Sequence, residues 1–174
     1  MPRLLWTDDD GPRRFMMEEF TLRRAGWDVE WAQGMSPAVR KLEQSAFDVV
    51  ILDQMLPWND AQLGIPGENP VDVWGGCLLL WWLRRGTPPP TLHRSQVERF
   101  GEMWTAQPLA ANRSAPVTIV SAFEDPDVRE QLLLVSGPGE GGCAVETPIW
   151  TKPVDRDVLM QFLREGRFAG DGTP

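Results

Sequence analysis

Apolar positions along this chain switch repeatedly between a period of two and a period near 3.6. RLLWT at 3–7 is a short apolar run that stops at Asp8, Asp9 and Asp10, as a strand running into an acidic loop would. Pro12 suits the first turn of a helix, and Phe15, Met16, Glu19, Phe20, Leu22 and Arg23 carry a helical period on to Gly26, a C-cap glycine. WDVEWA at 27–32 alternates like a strand. SPAVRKLEQS at 36–45 opens with Ser36 as N-cap and Pro37 at the first helical position. FDVVILD at 47–53 is apolar enough for a strand covered on both faces.

The second half repeats the alternation around an enlarged middle. Residues 58–69 turn to Gly, Pro, Asn and Asp and read as a long loop. GGCLLLWWLRRG at 75–86 is a helix apolar all round, which predicts deep burial or a partner surface, and GTPPPT ends it. An extra helix is expected over 92–106, where Leu92, Val97, Phe100 and Trp104 share roughly one face. APVTIVS at 115–121 is a fourth strand. DPDVREQLLLV at 125–135 follows as a helix, then the Gly-rich loop GPGEGG at 137–142, a short fifth strand TPIWTK at 147–152 and an amphipathic helix over 154–165. Strands alternating with helices predict an α/β fold: one doubly wound, five-stranded parallel sheet with helices on both faces. The domain would span 1–168, with an inserted helical and loop segment within 58–114 and a flexible tail at 169–174.

Charge narrows the partners. The chain has 17 Lys and Arg against 25 Asp and Glu, a net −8, which repels nucleic-acid phosphates and anionic membrane surfaces. No direct nucleic-acid partner and no membrane association are expected. Cys77 and Cys143 lack metal-ligand spacing, and MPRLLWTDDD reaches acid before a signal-peptide core could form, so the expected location is cytoplasmic. CLLLWWL at 77–83 is too short to span a bilayer.

In open parallel sheets, functional groups collect beyond the carboxyl ends of the strands. Those ends carry Asp8 and Asp9, then Asp53, Ser121 and Lys152. Burying an unpaired carboxylate such as Asp53 is costly, so it must reach solvent, find a hydrogen-bonding or cationic partner, or hold a metal. Three close carboxylates would repel one another unless a divalent cation sat among them, and an oxygen-only set suits Mg²⁺. Lys152 would offset phosphoryl charge and Ser121 would donate to a phosphoryl oxygen. The implied chemistry is phosphoryl transfer to a carboxylate.

In this arrangement the chain resembles the receiver domain of two-component response regulators, the chemotaxis-regulator-like fold with strand order 2-1-3-4-5. The residues that carry the resemblance are Asp8 and Asp9 with Arg14 beyond them, ILDQMLP at 51–57, Ser121 followed by Ala122, and Lys152 followed by Pro153. It is close over 3–57 and looser over 115–165. The resemblance implies that Asp53 accepts a phosphoryl group from a partner histidine kinase or phosphotransfer protein. Asp8, Asp9, Asp53 and the backbone carbonyl of Met55 would hold Mg²⁺, while Lys152 and Ser121 would bind the phosphoryl oxygens. It further implies a regulator that is not an enzyme and shifts between two forms as Ser121 moves. With no DNA-binding or catalytic module read after Pro174, a stand-alone regulator that signals by protein–protein contact is expected. A homodimer through the fourth and fifth strands is an arrangement the resemblance allows.

The chain departs from the family in several places. Ile149 stands where the family places its switch aromatic, with Trp150 beside it, and the segment from Pro57 to the fourth strand is longer than usual. Met55 and Phe123, each two residues past a site residue, are bulky and apolar, which in the family bears on water access and implies slow phosphoaspartate hydrolysis.

Two rivals use the same residues. DDDGP at 8–12 fits the pattern of haloacid-dehalogenase-type phosphatases, with Asp8 as nucleophile and Asp10 as acid/base, though Asp53 then has no task. A receiver-like adaptor would bind partners without phosphorylation. Residue by residue, blander readings also stand: an acidic turn capping a helix for Asp8 to Asp10, a surface ion pair for Arg14, a surface position for His93, and ordinary packing for the tryptophans.

Overall fold

Val49, Val50, Ile51, Leu52 and Asp53 are all buried, a pattern that requires cover on both faces of the strand they form. The computed structural model describes residues 1–57, 71–72, 75–85, 108–122 and 147–166. In chain order its strands are β1 (Arg3–Thr7), β2 (Asp28–Ala32), β3 (Val49–Asp53), β4 (Leu56–Pro57), β5 (Val71–Asp72), β6 (Val117–Ser121) and β7 (Ile149–Thr151). The α-helices are α1 (Met16–Arg24), α2 (Met35–Gln44), α3 (Gly75–Arg85) and α4 (Arg156–Gly166), with 3-10 turns at Gly11–Arg13 and Pro108–Asn112.

Five strands form one sheet in the order β2-β1-β3-β6-β7, and every pairing in it is parallel, with Leu4 opposite Val49 and Asp53 opposite Val120. This is the predicted doubly wound sheet, the fourth and fifth strands of the sequence reading being β6 and β7. Chain order reverses between β1 and β3, which places the functional edge beyond their carboxyl ends. β4 and β5 make a separate two-stranded antiparallel ladder.

Alternation sends neighbouring side chains to opposite faces. Leu5, Val50, Leu52, Val117 and Ile119 pack against Met35, Val39 and Leu42 of α2 and Leu79, Leu80 and Leu83 of α3. Leu4, Trp6, Val49, Ile51 and Val120 face Phe15, Leu22, and Leu159 and Leu163 of α4. Trimming one of these fully buried leucines to Ala costs about 2–5 kcal/mol. Trp82 is also buried, so for this tryptophan the packing role prevails over a partner surface.

Helix starts differ from the sequence expectation. Pro12 lies in the 3-10 turn, and α1 begins only at Met16 with Phe15 as N-cap. α2 begins at Met35, with extended Gly34 as its N-cap, leaving Ser36 buried inside the first turn. The C-cap expectation at Gly26 holds: its φ is +87°, and Gly26 N–H and Trp27 N–H donate to the carbonyls of Arg23 and Leu22, the paired bonds of a Schellman end. The loop at 58–69, the extra helix over 92–106, the helix at 125–135, the loop at 137–142, His93, Phe123 and the tail at 169–174 lie outside the described residues. No described helix is long and apolar enough to cross a membrane.

Candidate functional site

The carboxyl ends of β1, β3, β6 and β7 bring four buried polar side chains to one edge of the sheet. Asp8 follows β1 and is 0% exposed; Asp53 ends β3 at 2%. Lys152 follows β7, its side chain 7% exposed, and its Nζ donates to Asp8 Oδ2 at 2.8 Å and to Asp53 Oδ2 at 2.7 Å. Of the alternatives open to Asp53, the structure shows a cationic partner, Lys152, across 99 residues of chain. The backbone secures the lysine, whose N–H donates to Ser121 O at 2.8 Å and so extends the β6–β7 pairing.

Each carboxylate is also held by main chain. Asp8 Oδ1 accepts from Asp10 N–H at 3.0 Å, and Asp53 Oδ1 accepts from Met55 N–H at 3.3 Å. Thr7 ties the two strands, accepting from Asp53 N–H at 3.1 Å and donating to Ile51 O at 3.2 Å. Packing around the end of β3 is equally close. A Cβ at Gly76, in the first turn of α3, would lie 2.1 Å from the Asp53 carbonyl oxygen, so only glycine lets α3 approach there. Beneath the ammonium, Lys152 Nζ lies 5.9 Å from the Phe15 ring centroid, within cation–π range. Phe15 in turn packs on Trp6, centroids 4.9 Å apart, and Trp6 stacks on Trp31.

Electrostatics set these groups against their surroundings. Burial pushes the Asp53 carboxyl up to about 6, although the hydrogen bond and charge of Lys152 pull it down. For Lys152, burial disfavours the ammonium, but the hydrogen bonds and charges of Asp53 and Asp8 together prevail and raise it above its ordinary value. A buried ammonium between two buried carboxylates leaves one net negative charge, which favours capture of a cation.

Carboxylate oxygens of Asp8, Asp9 and Asp10 lie within 4.8 Å of one another, Asp8 buried and the other two exposed. The donors are hard oxygens only, a set that fits Mg²⁺. Of the ligand set expected from the sequence, Asp8 and Asp9 belong to this trio with Asp10. Asp53 meets Asp8 through Lys152, and the Met55 N–H donates to Asp53 Oδ1. Asp10 is ion-paired with Arg14 in an i,i+4 contact, the surface role expected for that arginine. Asp9, Asp10, Pro12, Arg13, Arg14 and Gln33 line an open cleft beside the cluster.

Ser121 lies at the end of β6 as expected, but its hydroxyl donates to Gln54 Oε1. Sequence reasoning missed Gln54, Thr7 and Gly76. Their signals were slight: a polar residue closing an apolar run for Thr7, an amide directly after Asp53, and a glycine pair opening an apolar helix. Ile149 and Trp150 are half-buried, and Trp150 meets Phe162 of α4 edge-on with centroids 5.0 Å apart.

No protein-family model matches the sequence, and no curated protein matches it. Solved structures do match in fold. The receiver domain of a Francisella response regulator aligns over 98% of this chain and 99% of its own, with a TM-score of 0.59 at 19% identity. A two-component response regulator from Clostridium difficile aligns over 99% of this chain and 100% of its own, with a TM-score of 0.61 at 11% identity. A response regulator from Burkholderia pseudomallei, solved with a phosphorylated aspartic acid and a calcium ion, aligns over 98% of this chain and 73% of its own, with a TM-score of 0.55 at 12% identity. Over nearly its whole length, then, this chain has the chemotaxis-regulator-like fold of response regulator receiver domains.

Proposed function

We propose that this protein is a response regulator receiver that accepts a phosphoryl group on Asp53 and signals through protein–protein contact. The observation that carries the reading is Lys152 Nζ bridging Asp8 and Asp53 at the point where strand order reverses. Asp53 Oδ2 attacks the phosphorus of a phosphohistidine on a partner kinase or phosphotransfer protein. The P–N bond breaks as the P–O bond forms, and the histidine ring, taking a proton from solvent water, leaves as neutral imidazole. Lys152 then neutralises the added phosphoryl charge without leaving its carboxylates far behind, and the Ser121 hydroxyl donates to a phosphoryl oxygen. Asp8, Asp9, Asp53 and the Met55 carbonyl would hold Mg²⁺, which when bound would supply charge stabilisation for the transfer. Asp10, whose carboxylate lies close to those of Asp8 and Asp9, would serve the same ion.

Beside the acidic turn, Met16, Met17 and Phe20 of α1 are 67%, 72% and 61% exposed. Apolar side chains this open suit contact with the phosphoryl donor. Hydrolysis of the acyl phosphate is slow, with half-buried Met55 beside Asp53 limiting water.

The test is intact mass after incubation with acetyl phosphate and Mg²⁺. Wild type should gain one phosphoryl group and Asp53→Asn none. Phosphate release that Asp8→Asn alone stops would replace this reading by a phosphatase; no adduct and no release would leave an adaptor.

A further inference from the structure

Gln54 is 0% exposed and directly follows Asp53, and its side-chain amide meets the Ser121 hydroxyl, itself 1% exposed. The backbone fixes both ends of this contact: Gln54 N–H donates to Val120 O at 2.9 Å and Gly76 N–H to Gln54 O at 3.0 Å, while Lys152 N–H donates to Ser121 O at 2.8 Å. Gln54 Nε2 is buried without a hydrogen-bond partner among the described residues. A buried amide that is half satisfied is costly to keep. Nothing in the packing of β3 demands an amide there, since Leu52 and Leu56 nearby are apolar and buried.

The serine hydroxyl has one proton to donate. While it donates to Gln54 Oε1, it cannot donate to a phosphoryl oxygen on Asp53. We propose that Gln54 is a positioning residue that holds the Ser121 hydroxyl in its resting orientation, so that phosphorylation of Asp53 must take this hydrogen bond from Gln54. The inference rests on the receiver reading and deepens it: Gln54 sets how much phosphoryl affinity is spent on turning Ser121. With the amide removed, the hydroxyl no longer donates to Gln54, and the active form is reached more easily.

The experiment titrates the full chain with beryllofluoride, a phosphoryl mimic, in Mg²⁺, followed by tryptophan fluorescence. It compares wild type, Gln54→Met, Ser121→Ala and the double variant. Loss of one neutral hydrogen bond from the resting form should tighten mimic binding by about three- to tenfold in Gln54→Met. The same substitution should change nothing when Ser121 is already Ala. A structural role for Gln54 would shift the melting temperature in both backgrounds and leave this Ser121-dependent gain absent. Gln54→Leu provides a second variant should Gln54→Met fold poorly. Unchanged or weaker binding in both Gln54 variants, or an equal gain in the Ser121→Ala background, overturns the inference while wild-type binding keeps the receiver reading. Wild type that neither binds the mimic nor takes a phosphoryl group from acetyl phosphate overturns both.

Discussion

Asn112 and Gln54 are both fully buried amides, at opposite ends of β3, and the protein satisfies them differently. Asn112 Oδ1 accepts from Phe47 N–H at 2.7 Å, and its Nδ2 donates at 2.8 Å to the carbonyls of both Leu42 and Ser45. It thereby closes the C-terminal end of α2 onto the start of β3 and holds the 3-10 turn Pro108–Asn112 against them. Each of its hydrogen bonds goes to a main-chain group of α2 or of the segment leading into β3. Gln54 meets a single rotatable hydroxyl and leaves its nitrogen without a partner among the described residues. A saturated amide fixes one arrangement, whereas a half-satisfied one lies close in energy to another. The far end of the sheet is built for stability, and the site end keeps a contact that can be exchanged.

The largest effect should come from the site end. Asp53→Asn removes the attacking oxygen's charge, and phosphoryl uptake measured by intact mass should vanish. Next, Asn112→Ala orphans two carbonyls and an N–H, and should lower unfolding free energy in urea by about 3 kcal/mol. Its phosphoryl uptake at a temperature where it remains folded should match wild type. Gln54→Leu replaces a half-satisfied amide with an apolar group of similar size, so its unfolding free energy should stay within about 1 kcal/mol of wild type. If Asn112→Ala proves as mild as Gln54→Leu, the contrast between the two ends fails.

A smaller effect concerns pH. Asp53 titrates near 6 in the folded chain against 3.8 for an unperturbed aspartate. The folded state therefore keeps the proton over a range in which the unfolded chain has lost it, and stability from this group falls as pH rises through that window. In chelator, wild type should lose stability relative to Asp53→Asn between pH 4 and 7, read from paired urea titrations, and Mg²⁺ should reduce the loss. The smallest effect belongs to Arg14, whose side chain is 51% exposed where it meets Asp10. Arg14→Ala should change stability by roughly 0.5 kcal/mol or less.

Much of this was readable from local pattern. The short apolar runs at 3–7, 47–53 and 115–121 became β1, β3 and β6, because a parallel sheet covered on both faces admits few other residues. Asp53 and Lys152 were legible because charge at the end of an apolar strand demands compensation. Helix starts were less so. Ser36 and Pro37 read as a cap, yet Gly34 takes that position, because the turn after β2 admits the chain earlier. Pro12 likewise suits a helix start, but the 3-10 turn it enters ends at Arg13 and α1 forms afresh from Met16.

The sequence by itself determined that five apolar runs would make strands and that acid, hydroxyl and ammonium groups would stand at their ends, since periodicity and the cost of burying charge are local properties of the chain. Only the tertiary structure decided which groups touch. Lys152 reaches Asp8 across 144 residues, Ser121 turns to Gln54 across 67, and Asn112 caps α2 from beyond the third helix. A hydrogen bond depends on distance and direction in space, and neither is set until the strands have chosen their neighbours.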